Sequence, residues 1–299
     1  MLHATSSASE KRRRLRERLA TGEILVLPGA FNPLSAMLIE KKGFEGIYVS
    51  GAVLAADLGL PDVGLTTLSE VAQRSGQIAR VSELPVIVDA DTGFGEPMNV
   101  ARTLQSLEDA GVAGLHVEDQ INPKRCGHLD GKSVVSLEDA TRRVRAARDA
   151  RRDPNFLIVA RTDARALEGL DAAILRARAY VEAGADAIFP EALLSAEEFA
   201  AVRAAIDVPI LANMTEFGKG ESLSVRQLDD LGVDMVIFPV SLLRLAMGAA
   251  SRALGVLASE GELGTLLGEM QTREELYEML DYESYTRFDQ SIFDSRFAD

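Results

Sequence analysis

Eight short apolar runs alternate with longer segments of helical periodicity along the chain. Each run is almost continuously apolar, which is typical of a strand buried on both faces of a sheet. The runs cover residues 24–30, 46–52, 85–91, 114–120, 156–164, 187–192, 209–215 and 235–241, with helical patterns such as 98–111 and 172–185 between them. Strands that alternate with helices imply a parallel α/β sheet, and eight such units predict a closed (β/α)₈ TIM barrel.

Helix ends and domain limits follow from the same pattern. Glycine just past a helical segment is the usual C-terminal stop, and it stands at Gly43, Gly111, Gly184 and Gly232. We expect a single domain over residues 1–299, because no Pro-, Gly- or Ser-rich linker interrupts it. An N-terminal helix should open at Ser7 or Ser9, with the basic residues 11–18 on its solvated face. A helical extension is predicted from about Ala253 to residue 299, covering its own barrel or exchanged with a second copy.

Polar residues stand at the C-terminal ends of the apolar runs. In a barrel these ends and the loops after them form the face that carries active sites. Some of them could instead cap the following helices, although Glu and Arg are not preferred caps. Their convergence favours a site for a small, polar, anionic substrate. The residues are Ser50, Asp89, Asp91, Glu118, Asp119, Arg161, Asp163, Glu191, Asn213 and Thr215.

Two aspartates at one strand end indicate a metal site. Asp89 and Asp91 are two residues apart in an extended segment, so their side chains point to the same side. Glu118 ends the next run and would add a third carboxylate. Oxygen ligands suit Mg²⁺ or Mn²⁺ better than Zn²⁺. The alternative is a solvated acidic rim.

The loop after residue 120 contains the chain's one cysteine, Cys126, in the sequence KRCGH. Its neighbours Lys124, Arg125 and His128 are basic, and adjacent cations lower a thiol's pKa and raise its reactivity. Glycines at 127 and 131 give the loop the hinge freedom of an active-site lid. An inert cysteine is the alternative. His116, in the middle of a run, is as well explained as a core histidine.

The composition limits the classes of molecule that the protein can bind. The chain has 32 Lys and Arg against 46 Asp and Glu, a net charge of −14, which makes nucleic acid a poor partner. A single cysteine excludes an intrachain disulfide. We see no signal peptide and no stretch near the roughly 18 apolar residues of a membrane span, so we expect a cytoplasmic protein. An anionic substrate then needs local cations, and Arg161, Arg244 and Arg273 are candidates, with surface salt bridges as the alternative for the last two.

These motifs together resemble a known superfamily. The segments SGA, GLPDVG, VDADTGFG, HVEDQ, KRCGH, ARTDA, FPEA, NMTEFG and MQTREELYE, spread over residues 28–285, are similar to the isocitrate lyase/phosphoenolpyruvate mutase superfamily. KRCGH resembles the catalytic loop of its lyase branch. The resemblance implies Mg²⁺-dependent cleavage of 2-methylisocitrate to pyruvate and succinate in the methylcitrate cycle of propionate catabolism. It also implies a homotetramer with exchanged C-terminal helices.

The resemblance implies a role for each site residue. Cys126 would protonate the succinate carbanion, Arg161 would stabilise that carbanion, and Asp62 matches an active-site aspartate. Tyr48, at the end of the second run, is a candidate base because a phenolate near Mg²⁺ and an arginine could form, with core packing as the alternative. The metal ligands would be Asp89, Asp91 and Glu118. The substrate would contact Ser50, Gly51, Ala52, Cys126, Gly127, Arg161, Glu191, Asn213, Met214, Thr215, Arg244 and Arg273.

One departure from the family leaves the substrate open. Gly51-Ala52-Val53 stands where some relatives have a run of glycines. Dimethylmalate, isocitrate and oxaloacetate are therefore alternative substrates, and a metabolite-sensing barrel is the non-enzymatic alternative.

Overall fold

The computed structural model describes residues 4–127 and 131–295. The chain divides into two compact units, a barrel unit over Ser6–Leu242 and a C-terminal unit that begins at Leu243. The predictions of a single domain and of an extension from about Ala253 stay predictions.

Eight parallel strands close into the predicted barrel. β1, β8 and β7 pair in that order, and β2 to β6 pair in chain order. Two short bridges join these sheets into a ring: Gly29 pairs with Tyr48, and Ile188 pairs with Ile210. The strands are β1 (Leu25–Pro28), β2 (Ile47–Val49), β3 (Val86–Asp89), β4 (Gly114–Glu118), β5 (Leu157–Thr162), β6 (Ala187–Pro190), β7 (Leu211–Asn213) and β8 (Met235–Phe238).

Helices surround the barrel and follow its strands. Those of the barrel unit are α1 (Ala8–Leu19), α2 (Pro33–Lys41), α3 (Gly51–Asp57), α4 (Leu68–Val81), α5 (Pro97–Asp109), α6 (Leu137–Ala150), α7 (Arg165–Glu168), α8 (Leu170–Ala183), α9 (Ala196–Ala205) and α10 (Val225–Asp230). The helical patterns predicted at 98–111 and 172–185 correspond to α5 and α8. Gly184 ends α8 in the left-handed region, with φ of 108°, as a glycine stop requires.

The core explains why the strands are apolar throughout. Every residue of β3, β4, β5 and β6 is buried, because one face points into the barrel and the other packs against helices. Leu27, Ile87, Val159 and Met235 belong to the cluster inside the ring. The strands therefore form a rigid frame, and their C-terminal ends are held at fixed positions.

The N-terminal helix begins as predicted, but two basic residues of its expected solvated face are buried. Ser7 caps α1 in a capping box with Glu10. The expected solvated face was wrong for Lys11 and Arg12, which are 4% and 6% exposed. Lys11 Nζ donates to the carbonyl of Ala79 at 2.7 Å, and Arg12 donates to Val112 and Glu108 carbonyls. A buried cation is tolerated when such acceptors replace water.

The C-terminal unit consists of helices with many exposed apolar side chains. It contains α11 (Ser241–Glu260), the 3₁₀ segment Gly264–Glu269, α12 (Arg273–Met279) and α13 (Tyr282–Ser295). No residue of α11 is buried in the described part of the chain, and Leu245 is 71% exposed. By length and composition α11 is the one helix of the described residues apolar enough to cross a membrane. The sequence prediction concerned nearly continuous apolar stretches of about 18 residues; α11 is interrupted by Arg244 and Arg252 and passes on its mean hydropathy instead. One such helix is weak evidence for a membrane span.

Candidate active site

The predicted acidic pair lies where β3 meets the start of α3. The backbone N–H of Gly51 donates to Asp89 Oδ2 at 3.1 Å, and that of Asp91 donates to Asp89 Oδ1 at 2.9 Å. A Cβ added to Gly51 would lie 2.9 Å from Asp89 Oδ2 and 3.1 Å from Asp91 Oδ1, so both carboxylates crowd this backbone and only glycine fits. Ser50 is the N-cap of α3 and accepts from Val53, so the capping alternative holds for this residue. Ala52 lies in the first turn of the same helix.

The two aspartates differ in ionisation. Burial opposes the ionisation of Asp89, but His116 in its protonated form, Lys124 and Arg161 outweigh it and lower the Asp89 pKa to about 2. Burial and the adjacent Asp89 charge raise the pKa of Asp91 to about 6. This difference is the usual result of placing two carboxylates side by side in a buried site. A bound cation would relieve the repulsion between them.

Glu118 adds carboxylate oxygens that have no hydrogen-bond donor among the described residues. It is 2% exposed, and both of its oxygens lack a donor. Its nearest recorded charge is Arg161 Nη1, 3.4 Å from Oε2, and burial raises the Glu118 pKa well above its ordinary value. Asp91 Oδ1 likewise has no well-directed hydrogen bond, although Lys124 Nζ forms an ion pair with it at 2.7 Å. Buried oxygens without donors are suited to bind a cation.

A hard divalent ion fits this donor set. All the candidate ligands are carboxylates, which Mg²⁺ prefers, and Mg²⁺ usually keeps several waters and takes few protein ligands. Within residues 4–127 and 131–295, no three His, Cys, Asp or Glu side chains form a ready-made metal cluster. The residues therefore fit a water-rich Mg²⁺ site rather than a closed cage of protein ligands.

Arg161, at the end of β5, is held in one orientation by several acceptors. Its Nε and Nη2 donate to the two oxygens of Asp163 at 2.9 and 3.1 Å. Glu191 Oε1 lies 3.8 Å from Nη2, and the guanidinium lies over the Phe189 ring, 5.1 Å from its centroid. Burial lowers the pKa of Arg161, but these carboxylates raise it well above its usual range. The guanidinium is thus a fixed positive charge suited to an anionic substrate.

The cysteine loop reaches the same strand ends. Lys124, two residues before Cys126, pairs with both Asp62 and Asp91, so it connects the loop and Asp62 to the acidic pair. Cys126 is a half-buried thiol outside any disulfide. A Cβ on Gly127 would lie 2.1 Å from Glu191 Oε1, so the loop backbone packs directly against that carboxylate. His128 of the KRCGH motif lies outside the described residues.

Tyr48 and His116 form a buried pair within the barrel. Tyr48 Oη and His116 Nε2 are 2.7 Å apart, and His116 Nε2 lies 3.5 Å from Asp89 Oδ1. Burial lowers the pKa of His116 to about 4, despite Asp89, and burial together with Asp89 raises that of Tyr48 well above 10. The core reading of His116 is supported, and both side chains are neutral at pH 7. Tyr48 as the base stays a prediction.

The remaining predicted residues fall into two groups. The amide of Asn213 donates to Glu191 at 3.3 Å, which brings the end of β7 to the site. Met214 and Thr215 line a neighbouring cavity of about 430 Å³ together with Leu193 and Phe238. The other group belongs to the C-terminal unit: Arg244 lies on α11 and Arg273 begins α12. Their roles in substrate binding stay predictions.

The sequence analysis grouped Asp119 with the polar residues of the site and did not predict the supporting role that its contacts show. Asp119 is 2% exposed and accepts from the N–H of Asp163 at 2.9 Å and from the hydroxyls of Thr162 and Tyr180, both at 2.7 Å. It therefore supports the strand end instead of facing substrate. The sequence analysis also did not identify Lys132. Its side chain is 2% exposed and forms an ion pair with Asp163 at 3.1 Å. A lysine directly after Gly131 has no local feature that marks it as buried.

Comparison with known proteins gives a consistent result. Residues 15–257 match the phosphoenolpyruvate phosphomutase family. The chain is 60% identical over 285 residues to a probable 2-methylisocitrate lyase of Corynebacterium glutamicum, covering 95% of this chain and 93% of the relative. A crystal structure of 2,3-dimethylmalate lyase matches with a TM-score of 0.89 at 34% identity, covering 97% of this chain and 96% of the other. Phosphonopyruvate hydrolase in complex with oxalate and Mg²⁺ matches with a TM-score of 0.84 at 28% identity, covering 97% and 99%.

Proposed function

The chain belongs to the phosphoenolpyruvate mutase/isocitrate lyase superfamily, and we propose that it is a carbon–carbon lyase that cleaves 2-methylisocitrate to pyruvate and succinate. The observation that carries the proposal is the packing of Gly127 against Glu191 beside the fixed Arg161. This packing brings the chain's one thiol, on the preceding residue, to the carboxylate-binding face. The 60% identity to a probable 2-methylisocitrate lyase supports this substrate over other hydroxy acids.

The reaction separates charge in a way these residues can accommodate. A base takes the proton of the tertiary hydroxyl, and the bond from that carbon to its neighbour breaks. The hydroxyl-bearing fragment becomes the keto group of pyruvate, and the bonding electrons remain on the other fragment. That carbanion is delocalised into its own carboxylate. We assign Arg161 and the adjacent polar groups to this developing negative charge, where fixed donors have most effect.

A proton must then reach the carbanion to give succinate. We assign this step to the Cys126 thiol, whose S–H proton passes to carbon and leaves a thiolate. Lys124 and Arg125 precede the cysteine and provide positive charge for that thiolate. Lys124 also neutralises part of the acidic pair. The loop therefore contributes both the acid and the charge that balances the acid's conjugate base.

We propose Asp89, Asp91 and Glu118 as the residues that hold Mg²⁺, partly through water. When bound, the ion supplies Lewis-acid stabilisation to the oxygens of the keto-acid fragment. The carboxylate oxygens without donors and the Mg²⁺ complex of phosphonopyruvate hydrolase support this choice. Mn²⁺, which accepts the same ligands, is the alternative metal.

We expect a substrate panel to distinguish the candidate activities. With Mg²⁺ present, 2-methylisocitrate should give a kcat/KM at least ~10-fold above isocitrate, the usual value of one well-placed methyl group, and should also be preferred over dimethylmalate and oxaloacetate. Pyruvate from 2-methylisocitrate or dimethylmalate and glyoxylate from isocitrate are followed through a coupled dehydrogenase, and the consumption of oxaloacetate is followed directly. A chelator blank tests the need for the metal. Preference for dimethylmalate would contradict the substrate assignment. The absence of turnover on the whole panel would favour the metabolite-sensing barrel.

Dimethylmalate is the second candidate substrate. The fold matches that of 2,3-dimethylmalate lyase over nearly the whole chain, and Gly51-Ala52-Val53 stands beside the acidic pair in place of the glycine run of some relatives. The lower identity to that enzyme, 34% against 60%, places it second.

We propose that the protein is a cytoplasmic homotetramer whose C-terminal helices are exchanged between copies. The exposed apolar side chains of α11 and α13, Leu245, Leu254, Phe288 and Phe293 among them, support an oligomer interface. Sedimentation equilibrium should give close to four times 32.2 kDa. A monomer mass would rule out the exchange, because closed symmetric oligomers have multiples of the chain mass.

A further inference from the structure

Lys132 is a buried lysine that the proposed chemistry does not use. It stands at the return of the cysteine loop, with its side chain 2% exposed. Burying an ammonium group is costly unless charged or polar partners replace its water. Its partners are the carbonyl of Gly127, to which Nζ donates, and Asp163 Oδ1 at 3.1 Å. The side chain thus connects the loop, one residue after Cys126, to a strand-end carboxylate.

The backbone on the Lys132 side of the loop is fixed independently. The N–H of Ile121 donates to the carbonyl of Ser133 at 2.9 Å, and that of Val135 donates to Asp119 at 2.8 Å. These bonds pair the return of the loop with the segment after β4. Lys132 directly precedes this anchored stretch, so its ammonium group reaches Gly127 from a fixed base.

Asp163, the other partner of Lys132, is among the most firmly held groups of the site. It is fully buried, binds Arg161 through both side-chain oxygens, and donates its backbone N–H to Asp119 Oδ1 at 2.9 Å. Burial would raise its pKa, but Arg161 and Lys132 lower it below the usual range. The ionised carboxylate of Asp163 therefore lies between the guanidinium of Arg161, which faces the substrate, and the ammonium of Lys132, which holds the loop.

We infer that Lys132 is a positioning residue that holds Cys126 over the site by tying the Gly127 carbonyl to Asp163. Gly127 lies against Glu191, and Cα atoms joined by a trans peptide are about 3.8 Å apart. Fixing Gly127 therefore fixes the backbone from which the thiol reaches the substrate. Gln120 also holds the loop, through two neutral hydrogen bonds to Arg125. The bond from Lys132 is charge-assisted, a class about twice as strong.

The test uses Cys126 itself as the probe, because it is the one cysteine of the chain. In the full-length protein, Lys132→Met keeps the side-chain length and removes the donor and the charge. The alkylation rate of Cys126 with iodoacetamide is measured from pH 7 to 10. At the high-pH plateau the thiol is fully ionised, so the plateau rate reports how accessible Cys126 is and does not depend on its pKa. We expect this plateau to rise about tenfold on loss of one charge-assisted hydrogen bond.

The expected effect of Lys132 on catalysis rests on the proposed function, and it is measured in a separate kinetic assay. For 2-methylisocitrate cleavage, Lys132→Met should lower kcat about tenfold with KM within about threefold, because Arg161 and the acidic pair remain in place. Lys132→Arg keeps a charged donor and should restore most of both properties. Gly127→Ala should also raise the alkylation plateau, because its Cβ would clash with Glu191.

Lys11→Met is the matched control. Lys11 is buried to a similar extent and also donates to backbone carbonyls, those of Ala79 and Ser82. These acceptors lie near the start of β3, at the opposite end of the barrel from the strand ends of the site. Lys11→Met should lower the unfolding temperature without changing the alkylation plateau or kcat.

The possible outcomes separate the two proposals. An unchanged alkylation plateau in Lys132→Met and Gly127→Ala would overturn the positioning role, whatever the activity. A raised plateau in a protein that cleaves no substrate of the panel would support the loop attachment and overturn the proposed function. If the alkylation plateau of Lys11→Met rose equally, the effect would be explained by general destabilisation, and this result would also overturn the positioning role of Lys132.

Discussion

Cys126→Ser should lower 2-methylisocitrate turnover by at least ~10²-fold, which is the usual contribution of a positioned general acid. The substitution keeps the size of the side chain and replaces a thiol by a hydroxyl, which is a far weaker acid. The carbanion fragment would then have to wait for a proton from solvent. Because Cys126 lies on a loop whose attachments come from Lys124, Gln120 and Lys132, the backbone geometry should be retained.

The measurement is kcat from coupled pyruvate release, with two checks on specificity. The unfolding temperature of Cys126→Ser should stay within about 2 °C of the parent, since a conservative change at a half-buried position usually alters stability little. Binding of Mg²⁺, followed calorimetrically, should be unchanged because the carboxylates of the proposed metal site are untouched. Near-parental turnover of Cys126→Ser would remove the thiol from the mechanism.

The features that the sequence predicted correctly are those determined by short segments. The eight strands follow from apolar runs whose length and continuity need no tertiary information, and the capping preference of serine limited the start of α1 to Ser7 or Ser9, of which Ser7 is the cap. Asp89 and Asp91 lie close together as expected, but the expected strand geometry was wrong, because β3 ends at Asp89 and Asp91 follows it with φ of 45° and a backbone bond to Asp89 Oδ1. In each case the deciding interaction lies within a few residues of the chain.

The features that it missed depend on contacts between distant segments. Gly127 and Glu191 are 64 residues apart (191 − 127), and Lys132 reaches an aspartate 31 residues away. Lys11 and Arg12 are in a charged helix whose pattern resembles a solvated face, and only carbonyls from other segments make their burial tolerable. Asp119 appeared to be one more polar strand end, whereas its contacts make it a support for Asp163.

Arg161→Lys should lower kcat/KM by about 10²–10³-fold, the loss associated with removing one preorganised donor to a developing anion. Lysine keeps the positive charge but offers a single point of attachment in place of a planar fork. The fork matters here because Nε and Nη2 bind Asp163 while Nη1 faces Glu118. An ammonium group that pairs with Asp163 cannot present a second, fixed N–H toward the substrate.

Arg165→Lys provides the matched control, since it makes the same substitution four residues further along the chain. Arg165 binds Glu198 with two nitrogens at the surface of the barrel unit and contacts none of the proposed site residues in the described hydrogen bonds. Its kcat/KM should remain within about twofold of the parent, because lysine keeps the charge that pairs with Glu198 and this partly buried ion pair lies outside the proposed site. If Arg161→Lys also kept kcat/KM within tenfold, positive charge alone would suffice at this position. The anion would then be stabilised mainly by other groups, and the orientation of Arg161 by Asp163 would have no catalytic consequence.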